Sequence, residues 1–137
     1  MSRTKNTVVA LSLCCIALAA QAGDRSRIAN EGAIADEWNL VPGTFVAPGY
    51  PAEAKPSGDN VCLAIGYAID AKGQPGDFVL LKEWSDKTGE LPNNYYAAYN
   101  GAAVGALSQW RFAPKEGVTP RRTITVATMT FRGTKAV

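Results

Sequence analysis

Histidine is absent from all 137 residues. Without an imidazole there is no Ser/His/Asp or Cys/His nucleophile pair, and the commonest metal ligand is missing. Cysteine is scarce. Cys14 and Cys15 sit in an apolar run near the N-terminus, and Cys62 stands alone in the rest of the chain. No disulfide can form within residues 23–137, so a small fold there must be held by packing. An excess of one charge is missing too. All 12 acidic residues lie beyond residue 22, while Arg3 and Lys5 are the only two of 14 basic residues before it, so residues 23–137 are formally neutral. No basic stripe is available to track a phosphate backbone, and nucleic acid is not an expected partner.

Long apolar runs are also few. Val8 to Ala20 carries no charge, but it is shorter than the roughly 20 residues a membrane helix needs. A basic start at Arg3 and Lys5, that run, and the small-x-small Ala20-Gln21-Ala22 make the pattern of a cleaved export signal. Residues 1–22 are therefore expected to be a signal peptide, the product periplasmic, and Gly23 its first residue. Neither Cys14 nor Cys15 follows the small residue that a lipoprotein signal requires, so no lipid anchor is expected. The alternative is an uncleaved N-terminal anchor.

The densest local signal is Asn93 to Pro114. Tyr96, Tyr99, Ala103, Ala106, Leu107 and Trp110 recur at steps of three and four, which places them on one helical stripe. Asn93 and Asn94 stand where a side chain can cap the first turn. Gly101 and Gly105 each cost a helix about 1 kcal/mol relative to alanine, which predicts a close approach to another backbone. Val61, Leu63, Ile65, Tyr67 and Ile69 alternate with Cys62, Ala64, Gly66 and Ala68, the mark of a strand from Asn60 to Ile69. The turn residues Asp70 to Gly76 then lead into a second strand, Asp77 to Trp84. Thr123 to Arg132, rich in β-branched residues, is a third. Ile28, Ala35 and Trp38 predict a short helix within Asp24–Leu40, and Pro51 opens a further helical turn. The expected fold is α+β: a three-stranded antiparallel sheet with a long and a short helix on one face.

Chemistry is hard to place on this chain. Cys62 lies mid-strand among small apolar residues, which favours an inert buried thiol. Asp70, Asp77, Glu83, Asp86 and Glu90 fall in turns and at strand ends, with no spacing that singles out a pair. No cofactor or metal is expected, and the protein is read as a non-enzyme. Arg111 and Arg122 are candidates to hold an acidic group, Arg111 more simply by local pairing at the helix end.

These landmarks in this order resemble the C-terminal domain of the TonB family, which transmits inner-membrane energy to outer-membrane transporters. The residues that carry the resemblance are Tyr50-Pro51 with Ala54, the strand Val61 to Ile69 closing in Asp70-x-x-Gly73, Asp77 with Val79-Leu80, and Ala106-Leu107 before Trp110-Arg111-Phe112-x-Pro114, then Phe131-Arg132. The domains implied are a signal peptide (1–22), an N-terminal extension (23–47) and a TonB C-terminal-like domain (48–137). The resemblance also implies a binding mode in which an extended segment of a partner, such as a transporter, adds beside the last strand. Ile124, Val126, Thr128 and Thr130 would then be its neighbours.

The sequence departs from the family by the expected cleaved signal and by only about 25 residues before Tyr50, fewer than about 90 Å even if fully extended. Three functions stay open: a diffusible protein binder, a short anchored energy transducer, and an enzyme or small-ligand binder on the same fold. Alternation further predicts a small, greasy second sheet face of Cys62, Ala64, Gly66, Ala68, Phe78 and Leu80. It is expected to be covered by Ile28–Leu40 with Trp38 as anchor, or by a second copy.

Overall fold

A computed structural model describes residues 26–134; the expected signal peptide lies outside them. The chain runs β1 (Arg27–Ile28), a 3₁₀ turn (Ala33–Asp36), β2 (Trp38–Leu40), a 3₁₀ turn (Ala52–Ala54), β3 (Val61–Ile69), β4 (Pro75–Ser85), α1 (Ala97–Leu107), β5 (Phe112–Pro114) and β6 (Thr123–Phe131). The architecture is α+β, but the main sheet has four strands rather than three, in the order β1-β6-β3-β4. β3 lies antiparallel between β4 and β6, while β1 joins β6 in parallel. A small second sheet pairs β2 with β5.

The alternation in β3 does what its pattern dictates. Val61, Leu63, Ile65, Tyr67 and Ile69 are buried under α1, which contributes Tyr99, Ala103 and Leu107 to the same core. Each of these large aliphatic side chains stabilises the fold by about 1.5–3 kcal/mol when fully buried. From β6 the odd residues point the same way, with Ala127, Met129 and Phe131 in the core and Thr123 and Thr125 buried beside them.

Three local expectations are corrected. Asp24–Leu40 is not a helix: within it the described residues form β1, a 3₁₀ turn and β2. An isolated helix that short is marginal in water, and here Trp38 is 97% buried with its indole N–H donating to Thr123 Oγ1 at 2.9 Å. That anchor and the pairing of β2 with β5 override the weak helical spacing. Asn93 and Asn94 do not cap α1, whose first turn has no side-chain cap; Asn94 instead takes a left-handed φ of 65°.

Gly101 and Gly105 face solvent, and a Cβ added at either would meet nothing within 4 Å. They do not mark a close backbone approach. Gly101→Ala and Gly105→Ala are therefore expected to stabilise the protein by about 0.5–1 kcal/mol each. The measurement is the urea midpoint at constant m-value, and a lowered midpoint would show a constraint on the solvent side of α1.

Candidate partner-binding edge

β6 is an edge in the making. Its even residues, Ile124, Val126, Thr128 and Thr130, the four candidate partner-binding positions, lie on the sheet face away from α1. Ile124, Thr128 and Thr130 are exposed there and Val126 is half-buried. The main-chain groups of the same even residues point away from β3, because N–H and C=O alternate sides along a strand.

Part of that edge is already taken by the chain's own N-terminal segment. Arg27 N–H donates to Arg122 O and Ala29 N–H to Ile124 O, both at 2.9 Å, with Ile28 in register with Ile124. Beyond Ala29 the main chain turns away, and Asn30 accepts from Ala33 N–H. The Glu31 carboxylate then reaches back along β6, accepting from Thr128 N–H at 3.0 Å and from the Thr128 hydroxyl at 2.9 Å. Ile124 and Thr128 are thus engaged from within, and the edge beyond β1 runs past Val126 and Thr130. This strap is braced by Arg27, whose guanidinium lies 3.6 Å from Glu37 and 3.7 Å from Asp36. A two-residue strand leaves no periodicity in the sequence.

The opposite edge of the main sheet is β4. It has eleven residues, but two register shifts interrupt its pairing with β3, and Pro75, Lys82 and Glu83 interrupt its apolar pattern. Bulges, prolines and charges are the usual protection against unwanted strand pairing. β6 carries no proline or charge between Thr123 and Phe131.

The second sheet face is apolar, though not with the composition expected. Phe78 and Leu80 pack into the core under α1, because Leu80 is in register with the inward Ile65. Val79 pairs with Gly66 on the outer face, and Leu81 closes over Gly66 there. Trp38 does not cover this face; it belongs to the core on the other side. Val79, Leu81 and Trp84 each remain more than half exposed. Between Val79, Leu81 and Ile124 lies a depression of about 250 Å³ floored by Gly66 and Ala68. Arg122, a candidate for an acidic ligand, bridges to Asp77 at 3.0 Å across one end of it. Cys62 is half-buried on the same face, with Sγ 4.0 Å from Thr130 Oγ1, rather than sealed in the core.

No family model and no curated protein matches the sequence. The fold resembles that of a solved structure, the solution NMR structure of the Pseudomonas aeruginosa TonB C-terminal domain, with a TM-score of 0.54 at 18% identity, covering 73% of this chain and 90% of that one. The fold is TonB-like. At that identity the likeness concerns the fold alone.

Within the TonB-like fold the motif residues have structural work. Tyr50 donates its hydroxyl to Asp59 O at 2.7 Å, lies 3.1 Å from the Tyr99 hydroxyl, and meets Tyr99 and Phe131 edge-on. Pro51 is buried and starts the 3₁₀ turn, its carbonyl accepting from Ala54 N–H. The Asp70 carboxylate accepts from Lys72 and Gln74 N–H to shape the turn that Gly73 completes. Trp110 donates to Val46 O and packs on Phe45 and Phe112. Arg111 caps the end of α1 through Ser108 O and Trp110 O. Phe112 is buried in β5, and Pro114 ends that strand opposite Trp38.

The Tyr50 cluster extends through a fully buried Asp59, which accepts from the Tyr95 hydroxyl at 2.6 Å. Burial, then the hydrogen bond to Asp59, pushes Tyr95 up to about 12. Burial raises Tyr50, Tyr67, Tyr96 and Tyr99 as well, so all five tyrosines of the chain are held neutral. Their folded pKa values exceed the unfolded value near 10, so the stability they contribute is full below pH 10 and falls as pH rises toward 12 and beyond. Each phenol still neutral when folded but ionised when unfolded adds a slope of about 1.4 kcal/mol per pH unit. The expected result is phenolate absorbance at 295 nm that rises with unfolding in one cooperative step above pH 10. Free titration of the phenols near pH 10 in a folded protein would contradict it.

Proposed function

We propose that this protein is a non-catalytic, periplasmic protein-binding module that takes an extended segment of a partner as an added strand on β6. The observation that carries the reading is that β6 already accepts a parallel strand, Arg27–Ile28, on that edge. An edge without proline or charge offers main-chain groups to any extended peptide, and alternate side chains supply specificity. The TonB-like fold supports a protein-interaction role. Under this reading the partner is a segment of an outer-membrane transporter, and the protein diffuses freely after loss of residues 1–22.

Two measurements test the proposal. Intact mass of the protein from fractions of its own host should show a soluble species beginning at Gly23; a membrane-bound species retaining Met1 would favour the anchored transducer. A photocrosslinker placed at Val126 should capture extended transporter peptides, while one at Val79 on β4 should not. Capture from Val79 alone would move the binding edge to β4 and overturn the assignment.

A further inference from the structure

The segment on β6 is attached there in an unusual way. The segment contributes two main-chain donors, Arg27 N–H in β1 and Ala29 N–H just after it. The apolar side chain it buries there is small, Ala29, while Ile28, beside Ile124, is 82% exposed. Where a longer strand would continue along the edge, the main chain leaves, and a carboxylate takes over. The two oxygens of Glu31 engage the N–H and the hydroxyl of a single residue, Thr128. Charge-assisted hydrogen bonds of this kind are the strong ones in such a set. The firm anchor of the segment lies further on, at the buried Trp38. Residues 26–31 can therefore lift from β6 while remaining tethered through Trp38.

We infer that residues 26–31 are a resident competitor for the β6 edge, and that they display the chemistry of the partner that replaces them. That partner is an extended peptide running parallel to β6. It places an aliphatic side chain beside Ile124, in the position of Ile28, and carries an acidic side chain four residues after its first main-chain donor, in the position of Glu31. The inference rests on the strand-addition reading above. It adds that binding is gated from within, since a tethered segment competes at an effective concentration on the order of millimolar. A partner matching only the main-chain pattern would be excluded by the strap. One that also supplies the carboxylate would displace it.

The probe is a blocked synthetic peptide of residues 26–32, Ser-Arg-Ile-Ala-Asn-Glu-Gly, added to isotope-labelled protein. In the variant Ala29→Pro with Glu31→Ala the strap loses one main-chain donor and its carboxylate. The expected result is peptide-dependent shifts of the Ile124 to Thr130 amides in that variant, at least tenfold weaker binding to the unaltered protein, and at least tenfold weaker binding by a peptide with Glu31→Gln. Should the double variant fail to fold, Glu31→Ala alone serves. Its Thr128 amide should exchange at least tenfold faster with the melting transition retained, and unchanged exchange would overturn the clamp.

A folded double variant that ignores the peptide would overturn the inference. So would equal binding to opened and unaltered protein, which would leave strand addition itself intact. If no member of a randomised peptide display perturbs Ile124 to Thr130 in either protein, strand addition on β6 fails, and the inference with it.

Discussion

Gly73→Ala is expected to destabilise the protein by about 3 kcal/mol or more, a large share of the 5–15 kcal/mol typical of a folded domain. Two effects combine at this turn. Gly73 has φ of +82°, a left-handed conformation that costs a residue with a Cβ about 1–2 kcal/mol. A Cβ there would also collide with the Phe112 carbonyl, which is backbone and cannot rotate away. The collision would force apart the β3–β4 turn and β5, which are joined by Phe112 N–H donating to Gly73 O at 2.9 Å. Urea unfolding of the variant beside Gly117→Ala separates the causes. Gly117 has nearly the same φ, +79°, but open space around it, so only the conformational cost should appear there. Equal losses at the two positions would show that the Phe112 contact contributes nothing.

Trp38→Ala is expected to cost about 3–5 kcal/mol, the usual range for removing a large buried aromatic side chain. The loss has a polar component as well. Thr123, fully buried, accepts the indole N–H and donates its own hydroxyl to Arg121 O, so truncation leaves half of that arrangement unmade. Trp38→Phe keeps most of the apolar volume and should recover the greater part of the loss. Thermal melts of the three proteins give the comparison. A Trp38→Ala protein as stable as the parent would mean that residues 26–40 are an appendage rather than part of the core.

The central elements were legible because each extends far enough to show its period. β3 declares itself by nine alternating residues, and α1 by Tyr99, Ala103, Ala106 and Leu107 at helical steps. β1 could not be read, since two residues have no period and its pairing depends on a strand almost a hundred residues away. The outer face was misassigned for a related reason. The side on which Phe78 and Leu80 fall depends on the β3–β4 register, and a register shift by one residue exchanges the two faces of a strand. Trp38 illustrates a third limit. Its spacing from Ile28 and Ala35 suited a helix, and only the distant Thr123 hydroxyl decides where the indole goes.

Of the candidate edge, the four β6 positions were visible in the sequence as half of an alternating strand. Their engagement by Arg27, Ala29 and Glu31 was not, because a carboxylate acting as a strand rung leaves no motif.

The order in which these contacts can form follows from how far apart they lie along the chain. The β3–β4 hairpin closes a short loop through Gly73, whereas the bonds from Glu31 to Thr128 join residues 97 apart. Long closures cost more entropy and are made late, which slows folding dominated by them to milliseconds or longer. Docking of β1 also requires β6 to be in place on β3 first. The expected order of refolding therefore leaves an interval in which the sheet exists and its β6 edge is bare. Pulse-labelled hydrogen exchange should find the Thr128 amide protected after the β3 amides, and simultaneous protection would contradict this order. A newly made chain would pass through that interval once, and during it the edge is open to any extended segment, other unfolded chains included.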